Sequence, residues 1–113
     1  MKISREDKNG VVILRLEGKL LGGPDSDAMR GVIASAIEAG KKNVVIDLSK
    51  VSLVNSTGVG ILIATHTTLK RNEGAMKLLS VAKRVSSVLI ISGLMTIFEA
   101  YNTEEEAIES FNS

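Results

Sequence analysis

Val44-Val45-Ile46, an unbroken apolar run closed by Asp47, sits between two longer amphipathic stretches, with Gly40 ahead of it and Gly74 beyond it. So short and so apolar a run suits a strand covered on both faces, and such a strand needs helices packed on its sheet. The flanking stretches supply them. Met29, Val32, Ile33, Ala36 and Ile37 recur at helical spacing, Asp25, Ser26 and Asp27 offer N-caps to that helix, and Gly40 stands at its end. A second helix opens at Ser56-Thr57 and runs to about Asn72, with Gly74 placed to terminate it and residues 49–55 left as the connecting segment. Helical crossovers between strands force parallel neighbours and, by the usual handedness rule, right-handed connections.

The ends of the chain extend the pattern. Residues 3–6 and 11–17 are short β patterns separated by Lys8-Asn9-Gly10, and Asn-Gly is the strongest short hairpin signal. In the second of these strands Val12, Leu14 and Leu16 share one face, while Val11, Ile13, Arg15 and Glu17 share the other, which places it near a sheet edge. Residues 75–80 read as a strand, 83–91 as a helix stopped by Gly93, and 97–101 as a last strand. Thr103-x-x-Glu106 is a capping box opening a helix that presents Ala107, Ile108 and Phe111. The expected architecture is a small α/β sandwich: a mixed, mostly parallel sheet with an antiparallel entry hairpin and about four helices packed mainly on one face. At 113 residues, 1–113 form one domain, and a 44% apolar fraction is enough to fill one core.

Composition narrows the function. With no Cys and one His there is neither a disulfide framework nor a zinc cluster, so no cofactor or structural metal is expected. No apolar stretch approaches a membrane span or a signal peptide, which points to a cytoplasmic protein without membrane insertion. Fourteen Lys+Arg against 13 Asp+Glu leave a net charge of +1, and the basic pairs Lys41-Lys42, Lys70-Arg71 and Lys83-Arg84 are separated. No nucleic-acid partner is expected.

Chemistry concentrates in Val54-Asn55-Ser56-Thr57-Gly58-Val59-Gly60, where two hydroxyl residues meet two glycines at a loop-to-helix junction. Such junctions at strand ends are favoured functional places in α/β sheets, and a helix start tolerates an anion. Two readings stand side by side. Ser56 is a plain N-cap with glycines that permit close packing, or it is an accessible hydroxyl beside glycines that leave the turn open to another molecule's backbone. The string lacks the third small residue of a dinucleotide fingerprint, and there is no P-loop and no Gly-x-Ser-x-Gly elbow. His66 shares the Val59, Leu62, Ile63 stripe and lies ~15 Å along the helix from Ser56, too far to act as its base. Asp47 at a strand end reads as a site residue or a turn former, and Glu104-Glu105-Glu106 as an acidic, solvated first turn. Residues 85–91 are apolar around more of the helix than one core-facing stripe needs, which fits either deep burial or a contact surface.

Taken together, Val45-Ile46-Asp47-Leu48-Ser49, Val51-Ser52-Leu53-Val54-Asn55-Ser56-Thr57-Gly58-Val59-Gly60, Gly74-Ala75-Met76-Lys77-Leu78 and Ser92-Gly93-Leu94 resemble the STAS domain family, and within it the bacterial anti-sigma-factor antagonists. The resemblance implies a noncatalytic, phosphorylation-controlled partner switch. Its partners would be an anti-sigma factor with serine kinase activity, whose sigma factor is released on binding, and a serine phosphatase. By the same resemblance Ser56 is the phosphorylated residue, and Gly22, Gly23, Asp25, Asn55, Ser56, Thr57, Gly58 and Val59 form the partner-binding surface. Two residues depart from the family pattern: Asn55 stands where Asp is usual, and Gly18-Lys19-Leu20-Leu21-Gly22-Gly23-Pro24 lacks the customary acid. The alternative within the fold is a STAS subunit of a transporter or stress-sensing complex.

Overall fold

The computed structural model describes residues 1–81 and 98–112. Five strands form one sheet in the order β1-β2-β3-β4-β5: β1 Lys2–Lys8, β2 Val11–Leu20, β3 Asn43–Val54, β4 Ala75–Leu79 and β5 Glu99–Tyr101. β1 pairs antiparallel with β2, and every later neighbour is parallel. Asn9 and Gly10 have φ of 53° and 78°, the doubly left-handed turn whose twist suits a two-residue hairpin, and they set Lys8 opposite Val11. β2 therefore lies one strand in from the edge, as its two-faced pattern leads one to expect.

The described residues hold three α-helices, α1 Pro24–Glu38, α2 Ser56–Arg71 and α3 Glu104–Glu109, then a 3₁₀ turn over Ser110–Asn112. The expected helix over 83–91, its stop at Gly93 and the apolar surface of 85–91 lie outside the described residues. α1 and α2 bury Met29, Ile33, Leu62 and Leu69 against Val12, Leu14, Leu16, Val44 and Ile46 on one face of the sheet. α3 covers the other face, where Ala107 and Ile108 meet Val11, Ile13, Val45 and Leu79. β3 is thus apolar on both faces, the arrangement foreseen for Val44-Val45-Ile46.

Four local expectations are corrected. First, β3 does not stop at Leu48. It runs to Val54, because β2 also continues to Leu20 and Glu17, Gly18, Lys19 and Leu20 keep pairing with Lys50, Val51, Leu53 and Val54 across two register shifts. Second, α1 is not capped by Asp25, Ser26 or Asp27. Pro24, with φ preset and no N–H to satisfy, starts the helix, and Gly23 at φ 64° is its N-cap residue without a side-chain bond. Third, Gly74 does help to close α2, its N–H bonding the Leu69 carbonyl at 2.7 Å, but Glu73 takes the left-handed position (φ 63°), and Gly74 must lack a Cβ because one there would collide with the Lys42 carbonyl. Fourth, Glu105 and Glu106 are exposed as expected, but Glu104 is half-buried and engaged. Its carboxylate meets Lys8 Nζ at 2.6 Å and Arg15 Nη2 at 2.6 Å, and Arg15 also binds Asp47 (2.9 Å) and Glu6 (2.8 Å). These cations hold the Glu104 and Glu6 carboxyls below the usual carboxylate range. They tie the start of α3 to β1 and β2.

Candidate functional site

The C-terminal ends of β2 and β3 lie side by side, with Leu20 paired to Val54, so the chain leaves the sheet there twice: into the 21–23 loop before α1, and into Asn55 before α2. Asn55 joins the two exits. Its backbone N–H donates to the Leu20 carbonyl (3.4 Å), its side-chain Nδ2 donates to the Leu21 carbonyl (3.2 Å), and its Oδ1 accepts from the Gly58 N–H at 2.8 Å. Asn55, not Ser56, is therefore the N-cap of α2, and the plain-cap reading of Ser56 falls.

Freed from capping, Ser56 is the first residue of α2 and is exposed, and its hydroxyl makes no hydrogen bond among the described residues. The first turn of α2 carries no acidic residue, so the partial positive charge of a 16-residue helix is unneutralised there by its own side chains. Thr57, also exposed, rests on Gly22, where a Cβ would collide with the threonine methyl. Asp25 is half-buried behind the same loop and accepts from the Leu21 N–H at 3.4 Å.

The glycines behave differently from one another. Gly58 is buried, and a Cβ on it would strike the Leu20 carbonyl oxygen, so this chain's own β2 fills the space that the sequence reading left to a visitor. Val59, 6% exposed, likewise belongs to the core. Gly60 is exposed with open space around it. Of the eight residues expected to form the surface, Gly23, Asn55, Ser56 and Thr57 are exposed and Asp25 half-buried, while Gly22, Gly58 and Val59 support them from beneath.

The family model described as "STAS domain" matches residues 2–107. The chain belongs to the STAS domain family. An anti-sigma F factor antagonist of Paenibacillus polymyxa is 28% identical over 96% of this STAS domain and 92% of its own length. The phosphorylated form of the Bacillus cell fate determinant SpoIIAA superposes with a TM-score of 0.74 at 27% identity, covering 97% of this chain and 99% of that one. An anti-sigma factor antagonist from Mycobacterium paratuberculosis gives 0.83 at 24% identity, covering 99% and 94%.

Two features of this STAS domain escaped sequence reasoning. Leu21 and Leu53 are 40% and 38% exposed and flank the serine, one in the loop held by Asn55 and the other two residues before it. The second is the Arg15–Glu104 network, whose partners are 89 residues apart. Other candidates stay apart from Ser56. Asp47 is 8% exposed and engaged by Arg15 and the Ser49 N–H. His66 packs edge-on against Phe98 at 5.5 Å, and burial followed by the nearby Lys70 lowers its pKa. Among the described residues no group of three His, Cys, Asp or Glu is placed to hold a metal, and no helix is long and apolar enough to cross a membrane.

Proposed function

We propose that this STAS domain is an anti-sigma-factor antagonist: a cytoplasmic, noncatalytic partner switch that binds an anti-sigma factor with serine kinase activity and so releases a sigma factor. Ser56 is the phosphoacceptor, and a serine phosphatase resets it. The docking surface comprises Gly23, Asp25, Asn55, Ser56 and Thr57, with Gly22, Gly58 and Val59 beneath, and the exposed Leu21 and Leu53 give it apolar anchors. The observation that carries this reading is the exposed, unbonded Ser56 hydroxyl on a helix capped by its neighbour.

The energetics favour a switch. A phosphate adds about −1.5 to −2 charges, and a helix N-terminus stabilises an anion by roughly 0.3–2 kcal/mol, so the fold tolerates modification. The cost falls on the complex. Moving a binding equilibrium from 99:1 to 1:99 takes about 5.5 kcal/mol. Steric conflict between leucine anchors and burial of an unmatched dianion in an interface supplies an energy of that order. Asn55 serves the same end, because its amide caps α2 and holds the Leu21 carbonyl together, which a carboxylate, having no donor, does not do.

Incubation with the cognate anti-sigma factor kinase and ATP, followed by peptide mass mapping, is expected to place one phosphate on Ser56 and none on the Ser56→Ala protein. A modified residue elsewhere, or no modification of a complex that forms, would sink the assignment.

A further inference from the structure

Ser56 and Thr57 open α2 side by side, and both hydroxyls are exposed and unbonded among the described residues. Thr57 alone of the two also seats part of its side chain on the neighbouring loop. A Cβ built on the buried Gly22 would collide with the Thr57 γ-methyl and lie 4.0 Å from its Oγ1, so the methyl, not the hydroxyl, rests on Gly22. A β-branched side chain in a helix has few χ1 choices. The contact selects the one that turns the apolar arm toward the loop and leaves the hydroxyl outside.

The loop that receives this methyl has little rigidity of its own. Residues 21–23 join β2 to α1 through two consecutive left-handed glycines, Gly22 at φ 99° and Gly23 at φ 64°, a backbone that glycine enters and leaves without a side-chain penalty. Toward α1, the bonds at Leu21 and Gly22 are long: the Leu21 N–H reaches the Asp25 carboxylate and the Asp25 N–H reaches the Gly22 carbonyl, each at 3.4 Å. Toward α2, Asn55 Nδ2 donates to the Leu21 carbonyl at 3.2 Å and holds the loop at one point. A single attachment is a pivot, and a second one fixes the orientation. The Thr57 methyl on Gly22 is that second attachment, and the residue it orients is Leu21, 40% exposed at the start of the loop. We infer, resting on the reading of the Ser56 surface proposed above, that Thr57 is a positioning residue: its γ-methyl, and not its hydroxyl, clamps the 21–23 loop to α2 and so aims Leu21 at the anti-sigma factor. Serine, the usual conservative replacement, is then the damaging one at this position, and valine the mild one.

Amide hydrogen exchange of the free chain reads the clamp without a partner. Thr57→Ser keeps the hydroxyl and loses the methyl, and is expected to speed exchange at Leu21 and Asp25 about 4-fold, the equivalent of the ~0.8 kcal/mol of one buried methyl group. Thr57→Val returns the methyl without the hydroxyl and is expected to bring exchange back to the native rate. Steady-state phosphorylation of Ser56 by the anti-sigma factor kinase reads the consequence for docking. A freed Leu21 has to be ordered on binding, so Thr57→Ser is expected to raise KM roughly 3–10-fold, with the loss in KM rather than in kcat, and Thr57→Val to recover most of it. The native chain is assayed first, and no phosphate on its Ser56 would strike the proposed function itself. The clamp falls on different results: exchange unaltered in Thr57→Ser, Thr57→Val as defective as Thr57→Ser, a loss carried by kcat, or a phosphate found on Thr57.

Discussion

Two helix starts on this molecule are built to opposite specifications. α3 opens on Thr103, whose hydroxyl oxygen accepts from the Glu106 N–H at 3.2 Å, and its first turn carries Glu104, Glu105 and Glu106. The carboxylates answer the helix dipole, and Glu104 is held by Lys8 and Arg15. α2 opens on Asn55 with no acid in its first turn and an unbonded serine at its first position. One start is neutralised and fastened to the sheet; the other keeps its positive end facing outward beside two exposed leucines. The first kind of start serves stability, and the second leaves a place for a charge to arrive.

Substitutions can break this contrast, beginning with the largest effect. Gly58→Ala forces a Cβ against the Leu20 carbonyl, a backbone atom that cannot swing aside. It is expected to cost about 3 kcal/mol, read as a lowered denaturant midpoint with unchanged slope. Asn55→Ala removes the α2 cap and abandons the Leu21 carbonyl, and is expected to cost ~1–2 kcal/mol, against ~1 kcal/mol for Thr103→Ala. Equal costs would show that Asn55 does no more than cap.

Acid sharpens the comparison at the other helix. Glu6 and Glu104, ordinarily near 4.5, are lowered by their bonds to Arg15 and Lys8, and Asp7 is lowered from 3.8 to about 2 by Arg5 and Lys41. Each folded-state pKa lies below the unfolded one, so the stabilisation is complete above the unfolded value and drains away as pH falls through the folded one. Thermal midpoints measured from pH 6 to about 2 should therefore fall, and Glu104→Gln should flatten the part of that curve below about 4.5. Asn55→Ala should leave the slope of the curve unchanged. The smallest expected effect is that of Ser56→Asp, which adds charge to a bare helix start and should hold or raise stability by ~0.3–1 kcal/mol.

Much of this was legible where local rules act alone. Asn9-Gly10 specified a hairpin turn, Val44-Val45-Ile46 a doubly covered strand, and Thr103-x-x-Glu106 a helix start. What escaped depends on residues distant in sequence. β3 passes Ser49 because β2 keeps pairing with it, which nothing in 49–55 announces. Gly58 looked open because its neighbour in space, Leu20, is 38 residues earlier. Glu104 looked solvated because the cations that hold it lie 89 and 96 residues away. At the site, the position of Ser56 was readable from its motif, but the division of labour was not. Asn55 takes the cap and leaves the serine free, and only the hydrogen bonds reveal that.

The measurement that bears most directly on the open helix start compares the Ser56-phosphorylated protein with its unmodified form, in thermal midpoint and in affinity for the anti-sigma factor. The midpoints should agree within a few degrees, as a helix-dipole effect of ~1 kcal/mol or less allows, while affinity falls at least ~100-fold toward the ~10⁴-fold of a complete switch. A phosphorylated protein that unfolds, or one that binds as tightly as before, would contradict a charge-accepting start to α2.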